Sequence, residues 1–227
     1  MEGVRINLSR KRSQMSYRSI VSNVLRGLGY RLRKGSAYRA EWSTDGVEHF
    51  IYLTLYGTPK NFISLDFGVR NLFAQNFAIH EIQKYGGPQY SALKYDEDND
   101  CVMTFSLGKM SGWSPRWSLN GADFSAKDLS YRIKNDVEFR LFPAIQPLKT
   151  AKDLLSFLLI DAEPCPWVRS NEAIRAAQII HLGRQVGMGS SEIRTALEPH
   201  EKAIASCLIK APNPSSYLDS VIRDGLH

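Results

Sequence analysis

Cysteine is scarce in this chain, and what there is excludes a disulfide framework. The three residues, Cys101, Cys165 and Cys207, are odd in number and far apart, and no C-x-x-C spacing offers a structural metal knot. Reduced thiols of this kind fit a cytoplasmic protein, the expected location. Long apolar runs are missing too. The longest, LLSFLLI (Leu154–Ile160), is broken by Ser156 and is well short of the ~18 residues that a membrane span needs. The opening residues, MEGVRINLSRKRSQMS, carry no apolar core of signal-peptide length. Acidic residues are nearly absent from one region only. Residues 1–40 hold ten Lys/Arg against the single acid Glu2, a net +9, while the rest of the chain nets −3, leaving +6 overall. The basic excess is an N-terminal property.

Catalytic and ligand-binding motifs are also lacking. No G-x-x-x-x-G-K-[ST] or G-x-G-x-x-G phosphate loop occurs, and no G-x-S-x-G elbow. His80-Glu81 begins like a zinc-protease helix, but the second imidazole one turn on is replaced by Lys84. Asp96, Asp98 and Asp100 match the first acidic positions of an EF-hand loop. Its sixth position, which needs glycine, is Cys101, and its twelfth, which needs glutamate, is Leu107. Gly187-Met188-Gly189 before Ser190 could offer N–H groups to an anion, but a helix–helix turn accounts for it more simply. Cys165, between two prolines, has no cationic neighbour in sequence to favour its thiolate. His181 reads as a half-buried packing residue. No cofactor and no metal are expected, and nothing here names an enzyme.

What is present is a clear order of elements. Tyr17, Ile20, Val21, Val24, Leu25 and Leu28 fall at helical spacing, predicting a helix over 16–28 capped by Ser16 and stopped by Gly29. The period then drops to two. Tyr30 and Leu32 alternate with Arg31 and Arg33; past a Lys34-Gly35-Ser36 turn, Tyr38, Ala40 and Trp42 alternate with Arg39 and Glu41. With VEHFIYLTLYG (Val47–Gly57) and FISLDFGV, this predicts a four-stranded antiparallel meander. A helix over 71–84 and a hairpin around DEDND (Asp96–Asp100) follow, then a loop-like 112–121. From Ser125, Leu129, Ile133, Val137 and Leu141 repeat every four residues, with Pro143 expected to end the run. Thr150 is placed to cap a helix over 151–160. Helices are expected over 171–186, 191–209 with an interruption at Pro199, and 215–224. The expected organisation is a basic arm over 1–14, an α+β domain over 15–162 and a helical extension over 163–227, parted at the rigid Pro164-Cys165-Pro166-Trp167 segment.

The basic residues between Leu28 and Trp42 raise the functional question. Alternation places Arg31, Arg33 and Arg39 on the sheet face away from Tyr30, Leu32 and Tyr38, while the first helix turns Arg18 and Arg26 outward. Basic charge split between two surfaces is unlike a nucleic-acid footprint, which gathers on one face. Solvated strand faces that discourage sheet aggregation are the plainer reading. The third strand qualifies it: Ile51, Leu53 and Leu55 line one side, Phe50, Tyr52 and Tyr56 the other. Either both faces of that strand are covered, or Phe50, Tyr52 and Tyr56 join Arg31, Arg33 and Arg39 in an aromatic-basic surface for a partner.

The helix ending Leu28-Gly29-Tyr30, the Gly35…Tyr38-Arg39 strand and the run Phe62-Ile63-Ser64-Leu65-Asp66-Phe67-Gly68-Val69 together resemble a bacterial family known only as a domain of unknown function. The likeness extends over about residues 15–160, with Trp117 and the Leu129–Pro143 helix in the expected places. The resemblance implies a bacterial protein associated with immunity, antitoxin or defence roles, and carries no activity or site residue with it. The expectation is an α+β interaction protein that binds a protein partner without catalysis. The alternatives are a nucleic-acid-binding protein using Arg10, Lys11 and Arg12 of the arm, or an enzyme whose site is assembled from residues distant in sequence.

Overall fold

The computed structural model describes residues 17–42, 44, 46–56, 62–85, 103–106, 117–118, 126–159, 172–202, 219 and 222. The 1–14 arm with Arg10, Lys11 and Arg12, the Ser16 cap, the DEDND turn, Cys165 and the Pro164–Trp167 segment lie outside them. The fold is α+β, as the periodicities predict: an N-terminal helix, an antiparallel sheet and further helices.

Helix α1 covers 17–27, with Val21 and Leu25 fully buried and Arg18 and Arg26 exposed. It stops at Gly29, whose φ of 81° is left-handed. An L side chain is strained in that conformation, so glycine ends the helix where the spacing predicts. The strands follow as β1 (Tyr30–Lys34), β2 (Ala37–Ala40), β3 (Val47–Tyr56) and β4 (Phe62–Asn71). Two short strands, β5 (Met103–Ser106) and β6 (Trp117–Ser118), extend the meander, and both pair with β4. Sheet order is β1-β2-β3-β4-β5, so β1 is an edge. Trp117 therefore begins a short strand within the stretch expected to be loop.

Two compact units emerge. The first comprises Met1–Trp42, Phe50–Phe67 and Ser106–Gln146; the second comprises Ser43–His49, Gly68–Phe105 and Pro147–His227. In the first, Tyr30 is fully buried and stacks on Phe142 with ring centroids 6.4 Å apart, and meets Trp42 edge-on at 6.3 Å. Phe142 belongs to helix α3 (Ala126–Asp136), which continues through a π-helical turn at Val137–Leu141 into an α-turn at Phe142–Ile145. The expectation that Pro143 ends this run is corrected. In a regular helix its ring would clash with the carbonyl four residues back. The π turn shifts the pairing, so Phe142 N–H donates to Val137 O, and Pro143 enters the first turn of the next segment, where a missing N–H costs little. The same turn suits the period-four stripe. Leu129, Ile133, Val137 and Leu141 would drift around a regular helix, yet all four are buried.

In the second unit, α2 (Leu72–Tyr85), α4 (Ala151–Leu159), α5 (Glu172–Gln185) and α6 (Ser190–Leu197) pack in pairs, α5 against α2, α4 and α6. Buried Ala74 and Ala78 on α2 and Ala176 and Ala177 on α5 are small, which lets helix backbones approach. Asn71 caps α2, its Oδ1 accepting from Ala74 N–H at 3.0 Å. Thr150 caps α4 as predicted. Its Oγ1 accepts from Asp153 N–H at 3.2 Å, and Asp153 Oδ2 accepts from Thr150 N–H at 2.9 Å. The Thr150 hydroxyl, donating to Asp153 Oδ2 at 2.7 Å, and then the Thr150 N–H favour the carboxylate and hold the Asp153 pKa below its ordinary value. Gly187, at φ 87°, ends α5 in a Schellman turn, with Met188 N–H donating to Gly183 O at 2.8 Å and Gly187 N–H to Arg184 O at 3.0 Å.

Candidate functional site

The site develops from the register of β1 on β2. Tyr30 faces Ala40, Arg31 faces Arg39 and Leu32 faces Tyr38. Glu41 N–H donates to Gly29 O at 2.8 Å, which makes Gly29 and Glu41 a hydrogen-bonded pair. Pairs of that type alternate along an antiparallel ladder, so Arg31 and Arg39 form the next one. The backbone groups of Tyr30 and Leu32 therefore point away from β2; Tyr30 is fully buried, so only those of Leu32 reach an open edge. Beyond Leu32 the register slips and Lys34 faces Ala37. Arg33 is thus the extra residue of a bulge, exposed like its neighbours.

All of β1 past Tyr30 is exposed: Arg31, Leu32, Arg33 and Lys34. Arg31 and Arg39 share a face as expected, opposite to that of Tyr30 and Tyr38. Two like charges directly across a ladder cost stability. Arg31 offsets part of that cost by an ion pair with Glu41, whose side chain is nearly half exposed. Arg39 is half-buried. On β3, Phe50 lies opposite Arg39 and Tyr52 opposite Ala37, so the structure does bring the aromatic and basic residues onto one face. Their exposure differs sharply. Phe50 is 1% exposed and stacks on half-buried Tyr52, ring centroids 6.0 Å apart and nearly parallel at 7°. Phe50 is packed from within, and Tyr52 alone of that pair reaches the surface. Tyr56 ends β3, and its side chain lies outside the described residues. Farther along, Thr54 donates to Asp66 Oδ2 at 3.1 Å, tying β3 to β4.

Sequence reasoning missed the feature most specific to this edge, Leu32. Alternation puts it on the face of buried Tyr30 and Tyr38, yet it is 51% exposed. At an edge, burial depends on what lies beyond the strand, and periodicity does not carry that. Two more exposed aromatics sit on α3 and its extension, Tyr131 (66%) and Phe139 (74%). The sequence did signal these: each lies two residues from a member of the buried stripe, hence on the far side of the helix.

The second unit holds buried polar groups that motif searching could not reveal. Arg70 Nε donates to Glu48 Oε2 at 2.7 Å, with side chains 5% and 10% exposed. Gln178 Nε2 donates to Gln75 Oε1 at 2.6 Å, and Asn71 Nδ2 to Gln185 Oε1 at 3.3 Å. Arg175, fully buried, donates through Nε to Leu158 O at 2.9 Å. His49 is 1% exposed, and burial pushes its pKa down to about 4, against a backbone bond at Leu148 that pulls the other way. The Arg70–Glu48 and Asn71–Gln185 bonds tie the end of β4 to its surroundings, and the Gln178–Gln75 and Arg175–Leu158 bonds tie helix to helix. His181 is half-buried and packs at a tilt against Phe77, ring centroids 5.4 Å apart; burial, then nearby Arg184, lower its pKa. The α6 N-terminus is closed by its own chain, Gly189 N–H donating to Glu192 Oε2 at 2.7 Å. An open hollow beside it is lined by Ser190, Ser191, Arg194, Asp219 and Ile222, and Arg194 there pairs with Asp219. Among the described residues no cluster of three or more His, Cys, Asp or Glu could hold a metal, and no helix is long and apolar enough to cross a membrane.

Comparison of the chain with protein-family models, with curated proteins and with solved structures finds no match.

Proposed function

We propose that this is a non-catalytic interaction protein that binds a partner protein through the basic surface of β1 and β2. One observation carries the reading: Arg31, Arg33 and Lys34 are exposed together on an edge strand, with Arg31 directly opposite Arg39. Like charges across a ladder cost stability, which the Arg31–Glu41 pair offsets only in part. A surface that meets an acidic partner recovers that cost on binding, and it steers the encounter. Arg31, Arg33 and Arg39 supply the charge and Tyr52 an aromatic margin; Phe50 supports Tyr52 from below. An immunity or antitoxin role is the finer form of this reading and rests on the bacterial family resemblance.

The test is affinity purification of the tagged protein from its host, with and without nuclease, followed by the Arg31→Glu/Arg33→Glu double variant. The proposal expects one stoichiometric protein that survives nuclease and is lost with the double variant. Recovery of nuclease-sensitive material alone, with steep salt dependence, would shift the site to Arg10, Lys11 and Arg12 and overturn the proposal.

A further inference from the structure

The open edge of β1 carries more information than its charge. Leu32, 51% exposed, directs its N–H and C=O groups away from β2, by the ladder phase that the Glu41–Gly29 bond fixes. No bonded partner of Arg31, Leu32, Arg33 or Lys34 occurs on that side among the described residues, and the strand is last in the sheet order. Such an edge is a template for another strand. Its side chains state which strand. Arg31 on one face and exposed Leu32 on the other call for an extended segment that alternates acidic and apolar residues. A second copy of this chain is disfavoured, because β1 against β1 would bring two basic strands together.

We infer that the partner contributes an extended acidic segment that adds to the sheet beside β1, its backbone pairing with Leu32 and its carboxylates meeting Arg31 and Arg33. This rests on the interaction reading above and specifies its geometry. Main-chain bonds supply affinity and the alternating side chains supply selectivity. Buried Tyr30 on one side and the bulge at Arg33 on the other limit the docking contact to Arg31 and Leu32, which keeps the site short. Arg31 exchanges the Glu41 carboxylate for one on the incoming strand.

The experiment uses the full chain and a fluorescent peptide of alternating glutamate and valine, read by anisotropy, with hydrogen exchange at the Leu32 amide as the second readout. Three variants accompany it: Leu32→Pro, which removes the outward N–H at a position where an edge strand tolerates proline; Leu32→Ala, which keeps that N–H; and Arg31→Glu/Arg33→Glu. Circular dichroism confirms that each folds. The inference expects the peptide to bind and to protect the Leu32 amide. Leu32→Pro should weaken binding about tenfold or more, with Leu32→Ala much less affected. Binding that needs the arginines but ignores Leu32→Pro and leaves the amide unprotected would overturn strand addition while leaving the basic-surface reading intact. No peptide binding at all overturns strand addition too, and the interaction reading then stands or falls on the host partner's response to the double arginine variant. Dimerisation of the free protein that Leu32→Pro abolishes would assign the edge to a second copy and overturn the acidic-segment proposal. The same peptide binding equally well in high salt would remove the charge complementarity on which the choice of occupant rests.

Discussion

Two strands of one sheet, β4 and β1, spend similar residue types in opposite ways. In β4 every residue from Ile63 to Asn71 is buried except Asp66, which is half-buried, and its arginine, Arg70, is 4% exposed and bonded to Glu48. In β1 everything after Tyr30 is exposed, and its first arginine pairs with the exposed Glu41. The difference is location in the sheet. A charge pair inside must be complete, because either member alone is a costly buried ion. A charge pair at the edge is nearly free to rearrange, so its side chains remain available to something else. Interior arginine is structure; edge arginine is surface.

The comparison breaks first if Arg70 proves dispensable. Arg70→Met leaves the Glu48 carboxylate without the guanidinium and should cost about 3–5 kcal/mol in urea denaturation. A loss under about 1 kcal/mol, the range of an exposed pair, would mean that β4 and β1 do not differ as described. His49 gives the next largest effect and a sign. Its unfolded pKa is near the ordinary 6.5 and its folded pKa about 4, so the unfolded chain binds the proton first as pH falls. The stabilisation from neutral His49 is complete above pH 6.5, declines between 6.5 and about 4 by up to about 3 kcal/mol, and then levels. His49→Gln should flatten that part of the stability-pH curve. An unchanged acid slope would contradict the assignment.

The order of elements was legible in the sequence because each rests on short-range physics. The stripe of α1, the left-handed stop at Gly29, the Thr150 cap and the alternation in β2 need only near neighbours. What escaped depends on residues far apart. Leu32 and Ile51 read alike in their local patterns, yet one is half exposed and the other fully buried. Phe50 on β3 likewise looks free to alternation and is closed in the fold. Of the candidate surface, Arg31, Arg33, Arg39 and Tyr52 could be named in advance from period two. The bulge at Arg33 could not, since it is a property of two strands and not of one.

Smaller effects sharpen the contrast further. Removing the α4 cap with Thr150→Ala should cost about 1 kcal/mol, read as a fall in Tm, because one first-turn N–H loses its acceptor. At the edge, Glu41→Gln and Leu32→Ala should each change stability by no more than about 0.5 kcal/mol. Glu41→Gln should also strengthen binding of an acidic partner, since Arg31 is released from its own carboxylate. An unaltered affinity would show that Arg31 is not a contact.

The most direct test of the central claim is the partner affinity of Arg31→Glu/Arg33→Glu beside its unfolding free energy. The account predicts a stability within about 1 kcal/mol of the parent, as for exposed charges, together with a loss of at least about tenfold in affinity for an acidic partner. A marked drop in stability, or full affinity retained, would show that the edge arginines serve the fold and that the binding surface lies elsewhere.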